Sequence, residues 1–346
     1  MRRPLRRSSL PLLLLPFLAL ALTACGGSSA ADAGGRSDGR GPVTLNVGDQ
    51  KGGSEAVLRA AGELKGLTYK IKWSTFTSGP PLLESVNAGA VDVGGVGNTP
   101  PVFAAAARSK VKVVAATHGS AAAEAILVRE DSPLKRTADL RDRSVAVAQG
   151  SSAHYQLVAS LVKARLSPKD VRLSLLQPAD ALAAFSRGKV DAWAVWDPYT
   201  SQALRNAGAR TLTTGQGVVN GLSFQVAAPA ALTDRKKSAA LKDYVERLRR
   251  AQDWVYEHPE DWAKVWAKDT GLPYDVALDA VRRSAGTRVP VAVDDAAVAA
   301  EQKIVDTFAR LGLIPRAYRF ADFVDRRFNG SLPPSTTAPR TYGEAS

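Results

Sequence analysis

The sequence predicts an α/β protein of two similar lobes, each a mostly parallel sheet flanked by helices, joined by two hinge crossings. Three observations predict it. Strand-like and helix-like segments alternate along most of the chain, which is the pattern of parallel sheets with helical crossovers. The alternation runs through two series, separated by loop-like residues at 129–133. The stretch 91–101 ends a valine-rich strand in Gly94, Gly95 and Gly97 and turns at Asn98, Thr99, Pro100 and Pro101 into a helix. Glycines admit close backbone or ligand approach, and the capping and proline residues suit a helix start. Such a terminus presents unpaired N–H groups and the positive end of a dipole, which suits a small anion.

The elements follow in order. Residues 43–47 read as a strand, 54–62 as a helix, and 69–76 as a strand with Tyr69, Ile71 and Trp73 on one face. The turn 77–81 opens a helix to about residue 88; the strand and helix around 91–107 and a strand at 111–117 complete a βαβαβαβ series. The second series has strands at 125–128, 144–148, 171–176 and 190–195, with helices at 153–165, 178–187 and from Tyr199 to about Ala207. Residues 221–228 return as a strand, and helices at 241–254, 262–270, 274–284 and 296–311 follow. One lobe is therefore expected from 42–128 plus 221–330 and the other from 129–220, with crossings near Val128 and Gly221. A ligand is expected between the lobes at the carboxyl ends of the strands.

The first 41 residues declare a destination. Arg2, Arg3, Arg6 and Arg7 precede an apolar run at 10–22, a basic region and an h-region too short to span a bilayer. It ends in Leu22-Thr23-Ala24-Cys25, which resembles a bacterial lipobox. That resemblance implies a signal peptide at 1–24, cleavage before Cys25, lipidation of its thiol and an extracytoplasmic, lipid-anchored place at the cell membrane, on its periplasmic or cell-surface side. Residues 26–41 are mostly Gly, Ser, Ala and Asp, with Arg36 and Arg40 and almost nothing apolar, so 25–41 reads as lipidated cysteine and flexible tether. Residues 331–346 have no periodicity and read as a frayed, disordered tail.

Composition narrows the chemistry. Cys25 is the single cysteine of 346 residues, which leaves the mature part without a disulfide framework, cysteine metal cluster or thiol nucleophile. His118, His154 and His258 are far apart in sequence, and no HExxH, CxxC or nucleophile-elbow motif occurs. A metal, a cofactor and catalysis are therefore not expected. The net charge is +13, four fewer once a leader carrying Arg2, Arg3, Arg6 and Arg7 is removed, and favours anionic ligands or an anionic membrane face. The basic residues form no dense run interleaved with aromatics, so nucleic acid is not an expected partner.

An ordered set of short motifs carries a family resemblance. It comprises Gln50-Lys51-Gly52, Ser78-Gly79-Pro80, Val91-Asp92-Val93-Gly94, Gly97-Asn98-Thr99-Pro100-Pro101, Glu124-Ala125-Ile126-Leu127-Val128, Gly150-Ser151, His154-Tyr155, Pro178-Ala179-Asp180-Ala181, and Val190-Asp191-Ala192-Trp193 through Trp196-Asp197-Pro198-Tyr199. Over 44–224 the chain resembles the substrate-binding components of ABC importers of the aliphatic sulfonate, nitrate and taurine group. The resemblance implies a type II periplasmic-binding-protein fold that delivers an alkanesulfonate to a permease and ATPase complex for sulfur uptake, acting as a monomer. Related folds carry taurine, nitrate or thiamine-pyrimidine precursors, and one related fold is an enzyme that makes such a precursor; its Cys-rich, His-containing pattern is lacking here.

A sulfonate is a permanent monoanion with three acceptor oxygens, so its burial needs donors rather than a titrating base. Three strand-to-helix turns offer them: Ser78-Gly79, Asn98-Thr99 and Ser151-Ser152. Gln50 is a neutral donor at the end of the first strand, and Lys51 beside it is a cation. Trp196, at the carboxyl end of its strand, is expected as an apolar wall for the tail, and Trp193, on the opposite face, as core. Asp197 is expected to cap the next helix or orient neighbours at the ligand, and His154 to sit in the first turn after the serine pair. Glu124 is read as structural. The head group is thus expected on neutral donors, without an arginine, and binding as nearly independent of pH. The leader makes one prediction by itself: the wild-type protein partitions into detergent with membranes, and Cys25→Ser releases it or blocks its processing, as phase partitioning and mass spectrometry of the N-terminal peptide will show.

Overall fold

The computed structural model describes residues 42–342; Cys25 and the segments expected as signal peptide and tether lie outside the described residues. The first series is β1 (Thr44–Gln50), α1 (Ser54–Ala60), β2 (Lys70–Phe76), α2 (Gly79–Asn87), β3 (Val93–Gly97), α3 (Thr99–Ala106) and β4 (Lys112–His118). The second is β5 (Ala125–Arg129), β6 (Ser144–Val147), α4 (Ser152–Lys163), β7 (Arg172–Leu175), α5 (Pro178–Ser186), β8 (Ala192–Val195), α6 (Tyr199–Asn206) and β9 (Ala209–Thr214). The chain continues through β10 (Leu222–Ala227), α7 (Pro229–Thr233), α8 (Arg235–Glu257), α9 (Pro259–Thr270), α10 (Tyr274–Ala280), β11 (Val289–Val291) and α11 (Asp295–Arg310).

The strands form two sheets, ordered β11-β4-β10-β3-β1-β2 and β7-β6-β8-β5-β9. Both are mixed rather than mostly parallel. β1 pairs in parallel with β2 and β3, and β6 with β7 and β8. β10 is antiparallel to β3 and β4, and β5 is antiparallel to β8 and β9. The reason is directional. In a βα series every strand ends at the same edge of its sheet, and the chain leaves one sheet for the other from that edge. A strand entered from the crossing starts where its neighbours finish and so runs the other way. Alternation of strand and helix carries no record of this reversal.

β5 belongs to the second sheet, so the first crossing occupies residues 119–124 rather than the neighbourhood of Val128. The return crossing occupies residues 215–221, at the expected place. β9 and β11 were not anticipated: β9 follows Gly208 with the polar run Ala209–Thr214, and β11 is three residues long. The two crossings touch. Gly119 N–H donates to the Gly221 carbonyl at 3.0 Å, and Gly215 N–H donates to the Glu124 carbonyl at 2.8 Å.

Each sheet is covered on both faces. Leu82, Val86, Val102, Ile304 and Phe308 pack on one face of the six-stranded sheet, and Leu58, Leu241, Tyr244 and Leu248 on the other. Leu157 and Leu161 of α4 and Phe185 of α5 cover the five-stranded sheet from opposite sides, with Trp193 wholly buried beside Phe185 as expected for core. Segment 331–342, expected as a frayed tail, is anchored: Pro333 accepts from Ala292 N–H, Ser335 bonds Asp294, Arg340 N–H donates to the Thr287 carbonyl and its guanidinium pairs with Asp253. Polar side chains hold this segment, which hydrophobic periodicity does not reveal.

Gly221 has φ +68°, and a Cβ there would collide with the Gly119 carbonyl. A left-handed backbone alone costs an L-residue about 1–2 kcal/mol. Gly221→Val is therefore expected to lower the unfolding midpoint by several degrees, whereas Gly208→Asn, at φ +55° with open space around it, changes it by much less; scanning calorimetry of the two variants checks this.

Candidate functional site

A cleft of about 210 Å³ lies between the two sheets where the crossings meet. β1, β3, β4 and β10 contribute from the first sheet, and the starts of α4 and α6 from the second. Gln50, Lys51, Gly79, Ser151, Ser152, Trp196 and Asp197 of the residues singled out in the sequence share its wall. The approach of the two sides is close: a Cβ on Gly97 at the end of β3 would stand 3.0 Å from Ser152 Cβ, so only glycine fits without a shift.

Local chemistry fixes each of these groups. Ser151 is the N-cap of α4; its hydroxyl accepts from His154 N–H at 3.3 Å and donates to the Ala148 carbonyl at 2.7 Å. The α4 N-terminus therefore opens on the cleft with Ser152 as its first residue, and brings the positive end of a twelve-residue helix there. Gln50 Nε2 donates to the Gly95 carbonyl at 3.0 Å, while Lys51 is exposed. Trp196 is half-buried with its ring edge-on to Tyr199 at 6.3 Å. Asp197 does cap α6: its Oδ1 accepts from Ser201 N–H at 2.9 Å and from the Ser201 hydroxyl at 2.7 Å. Its Oδ2 accepts from Arg283 at 3.0 Å and the Ser284 hydroxyl at 3.3 Å. That pair reaches from the second sheet to the π-helical turn Val281–Ala285 that continues α10.

Four expected residues have their side chains engaged elsewhere. Ser78 Oγ donates to Gln177 Oε1 at 2.8 Å, and Thr77 donates to the same oxygen at 3.1 Å. This joins α2 of the first sheet to the start of α5 in the second. Asn98 and Thr99 are buried; Thr99 donates to Asn98, Asn98 donates to Asn220 in the return crossing, and Asn220 donates to Glu301 of α11. Burial pushes Glu301 well above the ordinary carboxyl range, with the Asn220 bond opposing. His154 is buried against the rings of Phe103 and Phe308, and its Nδ1 accepts from Gly150 N–H at 3.2 Å. Ser78 and Asn98 do stand at helix N-caps, but their side chains and that of His154 engage distant segments, and Thr99 bonds Asn98, none of which the sequence displays.

Three charged groups of the cleft were missed as ligand candidates. Arg288, just before β11, stands in the cleft against Gly119 and makes no hydrogen bond or ion pair among the described residues. Crowding by protein lowers its pKa and Glu124 opposes this; because the side chain stays open to the cleft's water, the guanidinium remains charged. Glu124 in the first crossing receives a hydrogen bond from Ser152, and burial lifts it to about 7 against that bond and the charge of Arg288. Asp49 accepts from Ser54 N–H at 2.8 Å and Glu55 N–H at 2.7 Å, filling the N-terminus of α1 with the chain's own carboxylate; burial outweighs these bonds and lifts it to about 6. Arg288 comes from the late, weakly patterned part of the chain, where no motif marks it. Gln225 of β10 adds an amide whose Oε1 is buried without a partner.

Two α/β lobes closing on a cleft with a fixed cation and a helix N-terminus define a solute-binding protein of the type II periplasmic-binding-protein fold. By family model, residues 51–268 match, and the chain belongs to the NMT1-like family. It is 33% identical to the alkanesulfonate-binding protein SsuA of Xanthomonas axonopodis pv. citri, solved bound to MOPS, with a TM-score of 0.77 over 83% of this chain and 99% of that one. It is 35% identical to the periplasmic aliphatic sulphonate binding protein SsuA of Escherichia coli, with a TM-score of 0.71 over 82% and 97%. The desulfurization enzyme DSZB shares the fold at 16% identity and a TM-score of 0.59. No described helix is long and apolar enough to cross a membrane.

His154 yields a prediction for acid stability. Burial lowers its pKa to about 4 from 6.5, so the unfolded chain binds a proton more readily. The neutral ring's contribution is present above the unfolded value, is lost as the pH falls from 6.5 towards 4, and levels off below; the difference corresponds to about 3 kcal/mol. His154→Phe is expected to flatten that part of the stability profile, as denaturant unfolding across the acid range will show.

Proposed function

We propose that this chain is the extracytoplasmic capture component of an ABC importer, tethered to the membrane by a lipid on Cys25, and that it binds an aliphatic sulfonate in the cleft and delivers it to a permease and ATPase complex. The observation that carries the reading is the pairing of Arg288 with the N-terminus of α4 across one cleft. Arg288 makes no hydrogen bond or ion pair among the described residues, and a guanidinium offers several N–H donors to an oxyanion. The first turn of α4, through its backbone N–H groups and its dipole, offers neutral and partial-charge donors from the other sheet. A permanent anion held from both sides favours the closed arrangement, because its binding energy differs between open and closed states. Trp196 and the apolar parts of Val57, Val96 and Pro100 supply a wall for a short alkyl tail. The two SsuA relatives support the sulfonate head group.

In this reading residues 42–118 with 222–330 form one moving body and 125–214 the other, the crossings serve as hinge, and the protein works as a monomer. The chain is a binder and not an enzyme: a sulfonate carbon–sulfur bond is inert to the residues that line this cleft, and transfer to a permease requires release of an unchanged ligand.

A thermal-shift panel of ethanesulfonate, longer alkanesulfonates, taurine, sulfate and nitrate tests the class of ligand, because a ligand of the folded state alone raises its midpoint. Alkanesulfonates are expected to give the largest shift; a larger one with nitrate or sulfate overturns the assignment. Arg288→Met is expected to weaken alkanesulfonate binding by about 1.5–3 kcal/mol, the range for a hydrogen-bonded charge, and Lys51→Met by less, with an effect confined to low salt, both by titration calorimetry.

A further inference from the structure

We propose that Glu124 is a specificity-determining residue that carries a proton whenever the cleft holds its anion, so that ligand capture takes up one proton. This deepens the sulfonate reading and rests on it.

The geometry supplies the argument. Glu124 sits in the first crossing with its backbone pinned: its N–H donates to the Ala121 carbonyl at 3.3 Å and its carbonyl accepts from Gly215 at 2.8 Å. Its Cβ lies 3.3 Å from where a Cβ on Gly215 would stand, and the residue lines the cleft. Ser152 of α4 donates to the carboxyl, and Oε2 is sealed from water without a partner. The charged group that faces it is Arg288, from the segment leading into β11; from α4 it meets the Ser152 hydroxyl, and from the return crossing the backbone of Gly215. An ionised carboxylate with one hydrogen bond and a buried, unpaired oxygen is poorly solvated. The raised pKa of the empty site agrees.

An anion changes the balance further in one direction. A sulfonate drawn to Arg288 engages the cation that favours the ionised form of Glu124, and adds a like charge beside it. A neutral carboxyl removes the repulsion and turns an acceptor into an O–H donor. The sulfonate itself brings no proton at neutral pH, so the proton comes from solvent. Ionised Glu124 rejects the anion and the protonated form accepts it, which sets the sign: affinity is flat below the empty-site value near 7 and falls as the pH rises above it, by up to about tenfold per pH unit.

Titration calorimetry of the mature protein with ethanesulfonate and butanesulfonate, at about pH 8 in Tris and in tricine, measures the proton exchanged. Wild type is expected to take up close to one proton per ligand bound, and Glu124→Gln close to none, with an affinity at that pH equal to or above wild type and a flat pH profile. A wild-type heat that does not depend on the buffer overturns the proposal, as does proton uptake that persists in Glu124→Gln. If neither sulfonate binds the wild type even at about pH 6, where Glu124 is already neutral, the sulfonate reading falls and this inference falls with it.

Discussion

The two passages of the chain between its sheets lie side by side, and the hydrogen bond from Gly119 to Gly221 holds them together. Much of the remaining architecture depends on that contact. It fixes the edge at which both sheets exchange the chain, and so dictates that β10 and β5 run against their neighbours. It also sets where a cleft can form, because the ends of β1, β3 and β4 and the start of α4 converge there. A left-handed glycine at 221 is needed because any side chain would push the two strands of the joint apart.

The charges of the cleft divide by what they touch. Asp49 and Asp197 spend their oxygens on the first turns of α1 and α6. Asp197 also binds Arg283, whereas Arg288 and the exposed Lys51 make no hydrogen bond or ion pair among the described residues. A free cation in a cleft is costly to keep empty and gains most from an anion of matching shape. Glu124 is the counterweight, close enough to Arg288 to affect its charge and far enough to form no ion pair. The cleft thus combines cations at Arg288 and Lys51, a buried carboxyl at Glu124 and the α4 terminus.

The fold was legible in the chain because alternation of valine-rich strands with capped helices survives the reversal of single strands. The reversal itself, and the short β11, depend on where distant segments meet. The cleft was legible where a backbone turn marks it, at Gln50, Gly79 and Ser151-Ser152. It was not legible at Asn98, Thr99 and His154, whose positions look like those of Ser151 and Ser152 in sequence; Asn220, Phe103 and Phe308 turn their side chains inward. Arg288 escaped notice because nothing around it in sequence distinguishes it from the many other surface arginines. Glu124 was read as structural from its place before a strand near a crossing, and the sequence does not display that it lines the cleft.

The anchored carboxyl-terminal segment has a consequence for handling the molecule. Arg340 N–H and the Tyr342 hydroxyl bond the carbonyls of Thr287 and Gly286, immediately before Arg288, and the Thr337 carbonyl bonds His118 at the end of β4. The strap therefore braces the loop that seats the cleft's cation. A purification tag or fluorescent reporter fused at this end would load that strap, so a sensor built from the protein is better labelled elsewhere.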